Sequence, residues 1–105
     1  MAWVNLFIAG IFEVIWAISL KYSQNFSRLL PSVITVGGMI VSFFFLSLAT
    51  KSLPIGTAYA VWTGIGAVGT ILLGIVLFHE PMSLLRAIFL IMIIGGIIGL
   101  KATAA

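Results

Sequence analysis

Glu13 is the residue in this 105-residue chain whose type and position most directly suggest chemistry, because it lies deep inside a hydrophobic stretch. The other carboxylate, Glu80, stands between His79 and Pro81 in a predicted loop. A charged side chain near the centre of a bilayer costs at least about 2.5–3.5 kcal/mol on insertion scales. Such residues generally serve a function. Glu13 therefore predicts an ion or proton site that faces a protein-lined, water-accessible cavity.

Two groups of side chains are predicted to accompany this carboxylate. Gly10 and Trp16 share the Glu13 face of the first hydrophobic stretch, and Tyr59 and Trp62 lie on one stripe of the third. Trp16 lies too deep in the stretch for a role at the membrane interface. At this depth its N–H could donate to a carboxylate and its ring could contact a cation. The alternatives are close helix packing for Gly10 and an aromatic interface belt for Tyr59 and Trp62.

Further candidate residues lie in the second, third and fourth stretches. Ser42 could bond Glu13 or an indole across the cavity, although membrane serines more often bond their own backbone. Gly64 and Gly66 predict a helix hinge, with close packing as the alternative. Gly95 and Gly99 form a GxxxG spacing, which predicts a helix–helix contact in a dimer.

The composition indicates an integral membrane protein. Hydrophobic residues make up 63% of the chain and charged residues 7%. Cysteine is absent, so the sequence cannot form disulfides or thiolate metal sites. The net charge is +3, but the basic residues are dispersed, which argues against a nucleic-acid interface and favours anchoring at the lipid headgroups. The start of the chain lacks the basic region of a signal peptide, so the first stretch is expected to be a retained span.

Charged and turn residues divide the chain into four hydrophobic runs. They predict an all-α protein with four transmembrane helices, at about residues 2–20, 29–50, 54–78 and 83–101, in one domain over residues 1–105. The fourth run has only about 14 uncharged residues between Arg86 and Lys101, which cover roughly 21 Å of a 30 Å hydrocarbon core. It can span if the helix begins near Ser83 and Arg86 extends towards the headgroups.

The basic residues give no firm orientation in the membrane. Four spans put Lys51 and Lys101 on one side, and Lys21, Arg28 and Arg86 on the other. This near balance is compatible with a weakly oriented single population or with dual topology, in which the same chain inserts both ways.

The small size of the chain favours an assembly. Four short helices can hardly enclose a polar cavity and also shield it from lipid. Many transporters place their site between two inverted repeats, and this chain has room for one such repeat. An antiparallel homodimer would supply the second repeat and bring two copies of Glu13 into one cavity.

Patterns typical of catalysis are missing from the sequence. It contains no Walker-type loop, no nucleophile–base arrangement and no cluster of histidines or carboxylates with metal-ligand spacing. His79 is interpreted as a solvated loop residue. We therefore predict a protein that is not an enzyme and that needs neither a metal nor a cofactor.

Two segments together resemble the small multidrug resistance family. They are Glu13-Val14-Ile15-Trp16 and the segment Leu53-Pro54-Ile55-Gly56-Thr57-Ala58-Tyr59-Ala60-Val61-Trp62-Thr63-Gly64-Ile65-Gly66. The resemblance extends over the whole chain, including its length, four spans and loop positions. It implies an antiparallel homodimeric, proton-coupled exporter of small cations in a bacterial cytoplasmic membrane.

The same resemblance implies a subtype and a set of site residues. Drug-exporting members usually have glycine at the position of Trp16, whereas guanidinium exporters have tryptophan there, and Lys101 also fits the guanidinium subtype. Glu13 would bind both substrate and proton. The residues implied around it are Trp16, Ser42, Tyr59 and Trp62, with Met39 and Phe43 lining an opening on the lipid side.

The sequence thus predicts a proton-coupled antiporter that exports guanidinium and small substituted guanidinium cations. Guanidinium is planar, and its forked N–H donors match a carboxylate. Two alternatives stay open. One is a broader exporter of quaternary ammonium and polyaromatic cations with the same fold. The other is a passive cation pore or a partner subunit that transports nothing alone.

Overall fold

Four α-helices make up the secondary structure of residues 2–103, the part of the chain that the computed structural model describes. They are α1 (Ala2–Tyr22), α2 (Leu29–Ala49), α3 (Ile55–Phe78) and α4 (Leu84–Thr103). All four are long and apolar enough to cross a membrane by length and composition. The prediction of an all-α protein with four such helices is confirmed. The helix ends lie close to the predicted ones, and the predicted single domain also includes residues 1, 104 and 105, which lie outside the described range.

The start of α4 explains how its short apolar run forms a full span. The Ser83 hydroxyl accepts a hydrogen bond from the backbone N–H of Arg86 at 3.2 Å, as an N-cap residue does. The helix then has 20 residues, or about 30 Å, and the Arg86 side chain is exposed. α4 therefore begins next to Ser83, which is the start that the fourth run needs in order to be long enough for a span.

The α1–α2 connection is a tight turn. Gln24, Asn25 and Phe26 have left-handed backbone conformations, with φ values of 49°, 62° and 66°. Buried Ser23 holds this turn, because its hydroxyl donates to the Leu20 carbonyl at 2.6 Å and accepts the Phe26 N–H at 3.1 Å. The turn returns the chain so that α2 packs along α1.

Small residues allow the helices to approach closely. A Cβ atom built on Gly10 of α1 would overlap Ile65 of α3, and one on Gly64 of α3 would lie 2.9 Å from Ile97 of α4. A Cβ atom built on Gly38 of α2 would similarly lie 3.0 Å from the Cβ of Trp16 of α1. Close packing, the alternative given for Gly10 from the sequence, is thus seen, and a role of Gly10 in the site stays a prediction.

The helices form a thin, open layer with α1 and α3 at its centre. α1 packs against α2 and α3, α2 and α3 also touch each other, and α4 packs against α3 alone. The Cα atoms extend over 44 × 35 × 16 Å. α4 therefore lies at one edge of the layer, and none of its residues is buried.

Candidate functional site

Glu13 lies at the contact between α1 and α3. Its Oε1 atom is buried and has no hydrogen-bond partner among the described residues. A Cβ atom on Gly66 of α3 would overlap this oxygen, so the carboxylate fits here only because residue 66 has no side chain. A buried polar atom without a partner is costly for the folded protein. A bound proton or cation would supply the interaction that the surrounding side chains do not.

Trp16 lies next to Glu13 on α1 and carries a second unsatisfied polar atom. Its indole Nε1 is buried and has no acceptor within residues 2–103. The indole therefore does not donate to the Glu13 carboxylate, although the sequence made that bond an option. An unpaired acceptor and an unpaired donor thus lie within one turn of the same helix, where a ligand could satisfy both.

Ser42 connects three helices through its hydroxyl group. It is fully buried on α2, donates to the Ala9 carbonyl of α1 at 2.7 Å, and accepts the Trp62 indole N–H of α3 at 2.9 Å. Of the partners considered from the sequence, the indole is the one present. Neither Glu13 nor the backbone of α2 bonds this hydroxyl in the described structure. The bonds fix Trp62 against α2, close to the α1–α3 contact that holds Glu13.

An aromatic cluster extends from the buried site to the surface. Trp62 is 7% exposed, and its ring centroid lies 5.5 Å from that of Tyr59 and 5.7 Å from that of Phe43. Tyr59 is 56% exposed and Phe43 47% exposed. Met39 is half-buried on α2, one turn before Phe43. Phe43, Trp62 and Tyr59 thus form one cluster across α2 and α3, and a portal lined by Met39 and Phe43 stays a prediction.

The remaining predicted residues lie apart from this group or have another visible role. Gly64 packs against α4 and Gly66 against Glu13, both within an unbroken α3, so close packing is seen and the hinge stays a prediction. Gly95 and Gly99 have no atom within 4 Å of a virtual Cβ, and their dimer contact also stays a prediction. No group of three potential metal-ligating residues occurs in the described part of the chain.

Two contributions to this site were missed from the sequence. The Ala9 carbonyl as a partner of Ser42 has no signal in residue type, because every residue has a carbonyl group. The space that Gly66 provides for Glu13 did have a signal, since Gly66 is four residues after Trp62 and so lies on the same face of α3. Gly66 was interpreted as part of a hinge, with close packing as the alternative, and Glu13 was not identified as its packing partner.

The chain is similar to known proteins over nearly its whole length. The family model described as Small Multidrug Resistance protein matches residues 1–93. Similar proteins named "Guanidinium exporter" occur in Yersinia pseudotuberculosis, 65% identical over 101 residues, and in Escherichia coli, 60% identical over 101 residues. A third, from Salmonella typhimurium, is 55% identical over 104 residues. The alignments cover 96%, 96% and 99% of this chain and 97%, 96% and 99% of the three relatives.

The interhelical bonds of Ser42 give a first prediction. Ser42→Ala should lower the free energy of unfolding by about 1–2 kcal/mol, because it leaves the buried Trp62 N–H without an acceptor. Ser47→Ala is the matched control on the same helix, since the exposed Ser47 hydroxyl bonds only the Phe44 carbonyl of α2. It should change stability by less than about 0.5 kcal/mol. The measurement is unfolding of detergent-solubilised protein by sodium dodecyl sulfate, followed by circular dichroism, and equal effects would contradict the prediction.

Proposed function

The chain belongs to the small multidrug resistance family, and we propose that it exports guanidinium and small substituted guanidinium cations in exchange for protons. The membrane is proposed to be the bacterial cytoplasmic membrane. The observation that carries the proposal is the buried Oε1 atom of Glu13, which has no partner within residues 2–103. The names of the similar proteins support the choice of substrate, because all three are guanidinium exporters with at least 55% identity.

One carboxylate that binds two competing ligands is sufficient for exchange. Guanidinium offers forked N–H donors to a carboxylate, and a proton neutralises the same group. The two ligands therefore exclude each other at Glu13. If the protein changes the side to which the site opens only when it is loaded, inward movement of protons drives outward movement of guanidinium.

Trp16 is proposed to select the cargo. It lies one turn after Glu13 on α1, and its Cβ packs against Gly38 of α2. An indole face attracts a flat cation, and its bulk reduces the space available beside the carboxylate. Small planar guanidinium ions satisfy both conditions better than bulky quaternary ammonium ions.

The transporting unit is proposed to be an antiparallel homodimer. One copy provides four helices within residues 2–103, and Glu13 lies at the contact of two of them, α1 and α3. A second copy inserted the other way would cover it and complete an inverted repeat. The near balance of basic residues between the two ends allows both insertions.

The role of Glu13 is tested by Glu13→Gln, which keeps the shape of the side chain and removes its charge. Guanidinium-driven proton movement in proteoliposomes should fall to the level of protein-free liposomes, while circular dichroism shows an unchanged helix content. Glu80→Gln is the matched control, because Glu80 is the other carboxylate and its ion pair with Lys21, at 3.6 Å, is half-exposed. Normal exchange by the Glu13→Gln protein would reject the proposed mechanism, and guanidinium currents that need no proton gradient would indicate a passive pore.

The role of Trp16 is tested by Trp16→Gly and Trp16→Phe. Removal of the indole should shift the ratio of guanidinium to tetraethylammonium transport by roughly tenfold towards the bulkier cation, as expected when a pocket is enlarged. Trp16→Phe should have an intermediate ratio because it retains a smaller ring. The measurement is solid-supported membrane electrophysiology with both cations. An unchanged ratio in both variants would show that Trp16 does not determine selectivity.

Dual insertion can be tested directly because the chain contains no cysteine. Ser52 is exposed in the α2–α3 connection, so Ser52→Cys introduces one reactive thiol near Lys51. A membrane-impermeant maleimide added outside intact cells should label about half of the chains, and the rest should react after permeabilisation. Labelling of all chains from one side would contradict the antiparallel arrangement while leaving the role of Glu13 open to its own test.

A further inference from the structure

An apolar groove lies between α1 and α4, on the side of the layer near the start of α1. These two helices do not pack against each other, and both pack on α3, so α3 forms the floor of the groove. Trp3 and Phe7 form one wall and Val61 and Ile65 the floor, and the other wall comes from α4. The volume is about 410 Å³, which is within the roughly 300–1,000 Å³ range of ligand sites.

Polar chemistry in the groove is confined to one end. The lining residues of α4 are Ile97, Ile98, Lys101 and Ala102, of which only Lys101 is charged. Its ammonium group lies 5.6 Å from the centre of the Trp3 ring, across the mouth of the groove. A tryptophan ring and a lysine at the end of a span are typical of the headgroup level of a bilayer.

The apolar part of the groove runs from this end towards the membrane interior. Each of the three helices contributes residues one turn apart: Trp3 and Phe7, Val61 and Ile65, and Ile97 and Lys101. The groove thus follows the helix axes. The lining residues cover about one turn, or roughly 6 Å along the axes, which gives room for the first part of a hydrocarbon chain below a charged headgroup.

The charge at the mouth sets the sign of the occupant. The two acidic side chains of the protein are Glu13 and Glu80. Glu13 is ten residues from Trp3, or about 15 Å along α1. Glu80 is paired with Lys21 near the opposite end of α1. The side chains at the mouth therefore present positive charge, which complements an anion.

We propose that this groove is a binding site for an anionic phospholipid, with the phosphate at Lys101 and one acyl chain along Phe7, Ile65 and Ile97. The site is separate from the proposed guanidinium site and would exist whichever cation the protein transports. Its relation to the predicted dimer contact follows from positions around α4. Ile97 and Lys101 are each two residues after a glycine of the Gly95–Gly99 pair, or about 200° away, whereas Ile98 and Ala102 are each three residues after one, or about 60° away. A contact through the glycines would therefore border the groove on the Ile98 side and leave Lys101 free to meet lipid.

The test is native mass spectrometry of the full chain purified in detergent with equal amounts of phosphatidylglycerol and phosphatidylcholine of the same acyl chains. Wild-type protein should retain phosphatidylglycerol in preference. Lys101→Gln should lower this preference about fivefold, which is the contribution of one basic side chain near an anionic lipid surface. Lys101→Arg should keep the preference because it keeps the charge. Lys51→Gln is the matched control at the same end of the layer, and it should also leave the preference unchanged.

A second variant tests the apolar part of the site. Ile98 is 63% exposed, so Ile98→Trp should fold while its larger side chain fills part of the groove. It should reduce the retention of both lipids at least twofold without changing the oligomeric state seen in the same spectra. The proposal is overturned if wild-type protein shows no headgroup preference, which would indicate bulk solvating lipid only, or if Lys51→Gln has the same effect as Lys101→Gln. It is also overturned if Ile98→Trp changes the oligomeric state instead of lipid retention, because the groove would then be a protein contact.

Discussion

The placement of one carboxylate among apolar helices is the constraint on which the rest of the structure depends. Glu13 needs space between α1 and α3, and the missing side chain of Gly66 provides it. It also needs a donor, but the Ser42 hydroxyl donates to the Ala9 carbonyl instead, and the Trp16 indole N–H has no acceptor within residues 2–103. The packing therefore leaves the carboxylate oxygen without a hydrogen bond. An external proton or cation is then the natural partner of the carboxylate.

The open layer of helices has a related physical consequence. Packing in membranes does not gain from the hydrophobic effect, so helices associate through close contacts at small residues and through hydrogen bonds. Here those contacts join α1 to α2 and α3 and join α3 to α4, and many large apolar side chains stay exposed. In a bilayer these apolar side chains can contact lipid at no cost in stability. The carboxylate is the group that gains from cover, which is why a second copy belongs to the proposed mechanism rather than to the stability of the fold.

Much of the fold could be predicted because its signals are local. Hydrophobic runs between charges located the helices to within about two residues, and the length of the fourth run required a start at Ser83. The residues near Glu13 were found because helical spacing places them on shared faces. The partner of Ser42 could not be chosen in advance, since periodicity gives the face of a helix but not the rotation of its neighbour. The left-handed turn at Gln24, Asn25 and Phe26 contains no glycine and had no signal either.

The two ends of the layer have similar interface chemistry, and this bears on insertion. At one end Lys21 lies 4.3 Å from the centre of the Phe78 ring and pairs with Glu80, and at the other Lys101 lies over the ring of Trp3. Each end thus combines a lysine with an aromatic ring, and lysines at the ends of spans typically lie at the headgroup level. This similarity of the two ends is compatible with the dual insertion proposed above. The ends differ in the acidic partner, because Glu80 neutralises Lys21, whereas no acidic side chain lies near Lys101. That difference leaves positive charge at the Lys101 end, where the apolar groove begins.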